Sequence, residues 1–291
     1  HIDVPVNLAH YQYGNTTGYV YGAGYGPETW AEYTEVVLDN GAQVYEVYGG
    51  GEQGLVLNAE STQKYMAEEG QAIQEASDAE WAAAWKIGGG YDPASFSDYA
   101  ANTITNLANT AIVRTAEMDD RATKTYKYNT NVIIKQGATV NNYAYGGGLG
   151  SASYSTSGDV YGSTYIALLG GTVKKDIYAA GTIGGVYDDF DTGTFTASAN
   201  AYIAGGTLRN VYGGGWKGDV GYHDTSGDIP GETHVVIGIR SDQTDANLLT
   251  EIRKVKGTGG TLSNYGFTCG VPAIQRNAYA GGEGGAVFGS A

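Results

Sequence analysis

The chain of 291 residues contains one cysteine, two methionines and only five prolines. The single thiol, Cys269, excludes an internal disulfide framework. The few prolines, and the lack of a Gly-X-Y period among the glycines, exclude collagen and a proline-rich disordered chain. No apolar run approaches the roughly 20 residues of a membrane-spanning helix. We therefore predict a folded protein without membrane insertion.

Basic residues are also scarce, because 16 Lys and Arg stand against 31 Asp and Glu, giving a formal net charge of −15. A nucleic acid requires a face rich in Lys and Arg that displaces counterions, so nucleic acid is not an expected partner. Nucleophile signatures are missing as well: His223, Asp224 and His234 have no Gly-x-Ser-x-Gly motif beside them. We predict that the protein is not an enzyme and has no cofactor, with calcium as the exception left open.

Glycine and tyrosine, in contrast, are abundant, with 47 and 25 copies. A tyrosine followed by two small residues and a glycine occurs six times, at Tyr21, Tyr48, Tyr145, Tyr178, Tyr212 and Tyr279. The last three steps are 33, 34 and 67 residues, and the third of these is about twice the others. A fixed step of this kind indicates one structural unit stacked on copies of itself.

The segments before these tyrosines read as a short β-branched strand, a glycine corner and a second short strand. This pattern predicts an all-β fold, a parallel right-handed β-helix with one repeat per coil. The six tyrosines would form a structural ladder, and the glycines after them would supply backbone angles that other residues avoid. A propeller has a similar period, but it needs four strands per repeat, where the sequence shows about two.

The interval from Tyr48 to Tyr145 is 97 residues, which leaves room for an insertion. Ser77 to Glu80 form a capping-box pattern, and Trp81 and Trp85 follow on one helical face. We therefore predict N-terminal coils at 1–56, a helical insertion at 57–120 and further coils at 121–291. The insertion is either a wall that protects the solenoid or a recognition element.

The block Gly-Gly-Thr-Leu-Arg-Asn-Val-Tyr-Gly-Gly-Gly at 205–215, with a relative at 170–178, resembles repeats of large bacterial surface proteins of the adhesin or autotransporter-passenger type. The resemblance implies a right-handed β-helix outside the cell, used for adhesion, as a stalk or in a surface fibre. It implies no catalytic residues. The helical insertion departs from those repeats.

Both ends of the chain have the pattern of strands without partners. At the start, apolar residues alternate with polar ones, namely Ile2, Val4, Val6 and Leu8. Near the other end, Ala286, Val287 and Phe288 stand where other repeats enter their next strand, so the last coil is expected to be uncapped. Open strand edges promote association, which predicts head-to-tail stacking of copies. The alternative is that each end continues in a longer solenoid.

Two further features concern ligands. Asp188, Asp189 and Asp191 are weak candidate calcium ligands, and a solvated acidic turn is the favoured explanation because the glycine and distal Glu of an EF-hand loop are missing. Aromatic residues expected at the surface are candidates for stacking on sugars, namely Trp30, Trp216, Tyr25, Tyr154 and Tyr161.

The leading hypothesis is a secreted bacterial structural protein, located outside the cell, that assembles with itself into a filament. The alternatives are a cell-surface adhesin segment that binds glycans and a polysaccharide lyase or glycosidase. The last of these would need paired carboxylates on adjacent coils.

Overall fold

The computed structural model describes residues 18–26, 29–57, 128–154, 157–187, 197–224, 227–238 and 272–291. These residues form 22 short strands, and no helix occurs among them. The chain divides into two compact units, His1–Asn58 with Thr125–Ala291, and Ala59–Lys124. All the described strands belong to the first unit. The predicted helical insertion lies outside the described residues, apart from Leu57, which ends a strand.

The first sheet contains the longest strands, which are rich in β-branched residues and alternate between the core and the outside of the coil. Its five strands are parallel and in register, so that each threonine, valine or isoleucine lies beside its equivalent in the next coil. The order is β3 (Thr34–Leu38), β7 (Thr130–Ile134), β11 (Thr164–Leu168), β15 (Ala197–Ile203) and β20 (Gly231–Ile237).

A second parallel sheet follows the first around a turn in which Gly41 and Gly137 have positive φ. Its strands have two residues each. They are β4 (Gln43–Val44), β8 (Thr139–Val140), β12 (Thr172–Val173), β16 (Thr207–Leu208) and β21 (Ala273–Ile274).

The third sheet carries the repeated tyrosines and has six parallel strands. They are β1 (Tyr19–Tyr21), β5 (Glu46–Tyr48), β9 (Ala144–Tyr145), β13 (Asp176–Tyr178), β17 (Asn210–Tyr212) and β22 (Ala278–Tyr279).

The fourth sheet begins after loops of variable length and closes the coil. It contains β2 (Trp30–Ala31), β6 (Leu55–Leu57), β10 (Val160–Tyr161) and β14 (Val186–Tyr187). Single parallel bridges extend it from Val186 to Val220 and from Val220 to Val287. An antiparallel hairpin of β18 (Tyr222–Asp224) and β19 (Gly227–Ile229) interrupts the regular order.

Every strand of the four sheets therefore bonds to the equivalent strand of the next coil, which makes this unit a parallel β-solenoid. The predicted all-β architecture of stacked parallel strands is confirmed, and the propeller is excluded because its blades are not built from such strands. The core is a stack of small and branched apolar side chains, of which Val47, Val132, Ile166 and Val211 are fully buried. A second apolar cluster includes Ile133 and Ala167, which lie on the opposite face of the first sheet.

The glycines after the tyrosines serve a different purpose from the one predicted, since none of them has a positive φ. They are needed because the backbones of adjacent coils lie very close together. A Cβ on Gly148 would lie 2.9 Å from the Gly51 carbonyl oxygen of the neighbouring coil, and one on Gly181 would lie 2.4 Å from the carbonyl oxygen of Gly148. The glycine that ends each Tyr turn is therefore fixed by the space between coils, and the expectation of unusual backbone angles there was wrong.

Candidate functional site

The six predicted tyrosines form one continuous column along the third sheet. Neighbouring rings are nearly parallel, and their centroids lie between 4.8 Å and 5.1 Å apart. This spacing follows from the sheet, because strands in register place equivalent side chains about 4.8 Å apart. Each stacked pair stabilises the solenoid by about 0.5–1.5 kcal/mol beyond its burial.

Carboxylates accept hydrogen bonds from two phenols inside this column. The Tyr48 hydroxyl donates to Glu46 Oε2 over 2.5 Å, and the Tyr178 hydroxyl donates to the carboxylate of Glu283. Burial, and then the adjacent carboxylate, raise the pKa of Tyr48 and that of Tyr178 far above the ordinary value of a phenol. These tyrosines therefore stay protonated and act as fixed donors, which suits a structural element.

The tyrosines in the middle of the column are buried, and those at its ends are more exposed to solvent. Tyr48 is 1% exposed, whereas Tyr279, the last ring, is 43% exposed. Among the described residues, Tyr279 has one neighbour in the column, Tyr212, and Tyr21 at the other end has one, Tyr48. Within the described residues the column therefore ends at Tyr21, which is partly buried, and at Tyr279, which is exposed.

The coil that contains Tyr279 also exposes side chains that other coils bury. Ile237 is 47% exposed, although its register partner Ile203 is 0% exposed. In the described part of the chain, strands β20, β21 and β22 each bond to a neighbour on one side alone. We call the surface formed by these three strands and Val287 the terminal face.

The predicted assembly residues near the end of the sequence lie in this coil. Val287 bridges to Val220 and packs against the core, while the amide of Phe288 donates to the Val220 carbonyl over 2.9 Å. The amide of Ala286 donates to Asp219 Oδ1 over 2.7 Å. The corresponding residues at the start, Ile2, Val4, Val6 and Leu8, lie outside the described residues.

A buried carboxylate, which the sequence did not single out, lies in the fourth sheet. Asp159 Oδ1 accepts a hydrogen bond from the Gly185 amide over 2.8 Å. Burial raises the pKa of Asp159 to about 7, and the charge of Asp219 adds to this effect. The same arrangement, a side-chain oxygen that accepts from the backbone of the next coil, occurs between Asp176 and Asn210. These groups join coils to each other.

No metal centre is found in the described part of the chain, where no three His, Cys, Asp or Glu side chains lie close enough to hold an ion. The calcium candidates Asp188, Asp189 and Asp191 lie outside the described residues. His234 contacts Glu232 on the outside of the first sheet, with 3.3 Å between Nε2 and Oε2.

The predicted surface aromatics differ in their exposure. Tyr25, Tyr154 and Trp216 are exposed, and Lys217 Nζ lies 4.8 Å from the centre of a Trp216 ring. Trp30 is partly buried. Tyr161 is buried, contrary to expectation, because it belongs to β10 and packs beside Tyr187.

A row of basic residues is the feature that sequence reasoning missed. Lys175, Arg209 and Arg276 each stand three positions before a ladder tyrosine, which is a signal that alignment on the tyrosines could have revealed. The register stacks them at the corner between the second and third sheets, where each backbone amide donates to the carbonyl of the preceding coil.

None of the described residues forms a helix long and apolar enough to cross a membrane. In comparisons of sequence and of fold, no protein-family model, curated protein or solved structure matches this chain.

Proposed function

We propose that this protein is a secreted structural protein of the bacterial surface whose copies stack end to end into an extracellular filament. The observation that carries the proposal is the terminal face, because it repeats the cross-section of the inner coils and leaves the same apolar positions exposed. The right-handed coil and the helical insertion, expected from the sequence, belong to the same proposal.

Strand edges explain why such a face associates. An unpaired parallel strand presents a row of N–H and C=O groups that bond to any strand of matching spacing. The β22 edge of one copy and the β1 edge of the next belong to the same sheet and carry the same Tyr column. The ring centroids of Tyr212 and Tyr279 lie 4.8 Å apart. In the proposed stack, Tyr21 of the next copy lies over Tyr279 at the same distance.

The contact is heterologous, since it joins one end of a copy to the opposite end of another. A heterologous contact whose rotation does not close produces a filament rather than a ring. Extending the stack buries Ile237, Val236 and the exposed face of Tyr279, so apolar burial favours growth.

The junction can be tested by cysteine cross-linking. We would introduce Tyr21→Cys and Tyr279→Cys in a Cys269→Ser background, which removes the natural thiol. Equivalent Cα atoms of stacked strands lie about 4.8 Å apart, within the range that a disulfide spans. Oxidation should give a series of multimers on a non-reducing gel, and electron microscopy should show filaments.

The matched control pairs Tyr21→Cys with Tyr154→Cys, because Tyr154 is exposed but belongs to the loop between β9 and β10 and not to the terminal face. This pair reports random collisions. Equal cross-linking in both pairs, or particles that remain monomeric at high concentration, would refute end-to-end assembly.

A second candidate function is an adhesin segment that binds glycans. It is favoured by the exposed Trp216, Tyr25 and Tyr154. A glycan-binding assay on the wild-type protein and on a Trp216→Ala variant separates this function from assembly, because Trp216 is not part of the terminal face.

A further inference from the structure

One corner of the solenoid concentrates positive charge. Lys175, Arg209 and Arg276 follow one another in successive coils, with the Arg209 amide 2.8 Å from the Lys175 carbonyl and the Arg276 amide 2.9 Å from that of Arg209. Lys174, adjacent in sequence to Lys175, is exposed beside them. We call these four residues the basic corner.

This concentration is unexpected in a chain with a net charge of −15. Six of its 16 Lys and Arg lie in the described ranges, and four of those six form the basic corner. The other two are Lys135, which pairs with Asp39, and Lys217, which lies over Trp216.

Only part of this charge is neutralised by neighbours. Asp176, which is buried, accepts hydrogen bonds from Nε and Nη2 of Arg209. A guanidinium has five N–H groups, and Asp176 and Tyr143 do not engage all of them on a side chain that is 31% exposed. Lys174, Lys175 and Arg276 have no ion-pair partner among the described residues, so the described residues of this corner carry net positive charge.

An aromatic ring adjoins the basic corner, and others lie further along the same side of the solenoid. Lys175 Nζ lies 4.7 Å from the centre of the Tyr143 ring. Tyr143 and Tyr19 belong to the outward row of the third sheet that also contains Glu46 and Asp176. Tyr19 is exposed and packs edge-on against Tyr45, with their centroids 5.3 Å apart. Tyrosines at partly exposed positions provide flat surfaces for sugar rings, as they do at other recognition sites.

We infer that the basic corner binds a linear anionic polysaccharide that lies along the solenoid axis. The stacked cations recur about every 4.8 Å, so they contact carboxylate or sulfate groups along an extended chain. Tyr143, beside Lys175, and Tyr19, two coils further along the same row, contact the sugar rings of the same extended chain. Duplex DNA is disfavoured, because it requires a broad face rich in Lys and Arg rather than a single row of cations. The inference is independent of filament formation, since all its residues belong to one copy.

The binding test uses four probes: polygalacturonate, which carries carboxylates, dextran sulfate, which carries sulfates, neutral dextran and duplex DNA. Affinity is measured by calorimetry at low and at high salt. We expect binding to at least one anionic polysaccharide and none to dextran. We also expect weaker binding at high salt, because exposed charges are screened. The comparison of the first two probes identifies the acidic group.

The variants separate this site from general charge effects. Lys174→Gln with Arg276→Gln removes two exposed charges of the basic corner, and we expect it to lower affinity about tenfold. The control, Lys135→Gln with Lys217→Gln, makes the same change in net charge and should alter affinity less than about twofold. Arg209 is retained because its loss would leave Asp176 buried without its partner.

Three outcomes would overturn the inference. One is the absence of binding to both anionic polysaccharides at low salt. Another is an equal loss of affinity in both double variants, which would indicate a nonspecific charge effect. The third is binding of DNA as tight as that of the polysaccharides and equally sensitive to the basic corner.

Discussion

Ala179 faces Ala199 in the next coil, where the other described coils place a glycine against a threonine. The register makes Ala179 the equivalent of Gly146, and Ala199 the equivalent of Thr164. A Cβ on Gly146 would lie 3.4 Å from the Thr164 Cβ, and at three other coils this distance is 3.0 Å or 3.1 Å. A methyl group on one side is therefore matched by a smaller side chain on the other.

This relationship predicts a strong coupling between the two positions. Ala199→Thr alone should destabilise the solenoid by about 1–3 kcal/mol, because the added atoms crowd Ala179. Adding Ala179→Gly should relieve the crowding and let the new hydroxyl donate to the Gly213 carbonyl, as the other threonines do at their own coils. Urea unfolding of the two single variants and the double variant measures the coupling, which we expect to exceed about 1 kcal/mol. Additive effects would contradict the pairing.

The threonine hydroxyls themselves should stabilise the coils. Thr164 Oγ1 donates to the Ala179 carbonyl over 2.6 Å, and Thr34, Thr130 and Thr233 make the same bond in their coils. Thr164→Val keeps the shape but leaves that carbonyl without its hydroxyl donor, so we expect a loss of about 1–3 kcal/mol in unfolding free energy. Thr172→Val, at a partly exposed position of β12, is the control and should change stability by less than about 0.5 kcal/mol. Similar losses in the two variants would refute this role.

Close backbone contacts, within a coil and between coils, make one set of glycines irreplaceable. Gly148→Ala would place a Cβ 2.3 Å from the Gly158 carbonyl oxygen of its own coil and 2.9 Å from the Gly51 carbonyl oxygen of the neighbouring coil, so we expect a loss above about 3 kcal/mol or failure to fold. At Gly281, in contrast, a Cβ would meet nothing within 4 Å, and Gly281→Ala should be nearly neutral. Thermal unfolding of both variants tests the difference. A Gly148→Ala protein that unfolds at the wild-type temperature would show that the backbone around this glycine can shift at no cost in stability.

The buried Asp159 should make stability depend on pH. Because its pKa is raised to about 7 in the folded protein, the folded state keeps a proton that the unfolded chain releases near pH 4. The contribution of this group is therefore most favourable below pH 4, and it decreases as pH rises towards 7, by on the order of 4 kcal/mol.

Asp159→Asn removes this titration but retains an oxygen that can accept from the Gly185 amide. The variant should be more stable than the wild type at pH 7 and should lose that advantage near pH 4. Urea unfolding at several pH values gives both profiles. Parallel profiles for the two proteins would show that Asp159 does not titrate in this range.

The sequence predicted those features that repeat at a fixed spacing. The step of about 33 residues between tyrosines, together with the β-branched runs, predicted stacked parallel strands and the positions of the six ladder rings. The fourth sheet was not predicted, because its strands begin 7, 15 and 8 residues after Tyr48, Tyr145 and Tyr178. Loops of variable length hide such strands from any search for a period.

Features that depend on contact between coils were also missed. The space around Gly148 and Gly181 depends on backbone atoms of other coils, and no local pattern reports it. Likewise, Lys175 and Arg276 are 101 residues apart in the sequence, and only the register places them in one row. The burial of Tyr161 follows from its place in a strand that was not recognised.

The register between β3 and β7 shows how this solenoid accommodates extra chain. Thr34 and Thr130 are neighbours although 96 positions separate them, whereas Thr130 and Thr164 are 34 apart. Loop-closure entropy grows only with the logarithm of length, so the longer path costs about 1 kcal/mol more. The second sheet accommodates extra chain in the same way. The connection from β20 to β21 is much longer than the one from β15 to β16, yet β16 and β21 still pair in register. New segments can therefore be added at the corners during evolution, or grafted there by design, while the strand geometry stays unchanged.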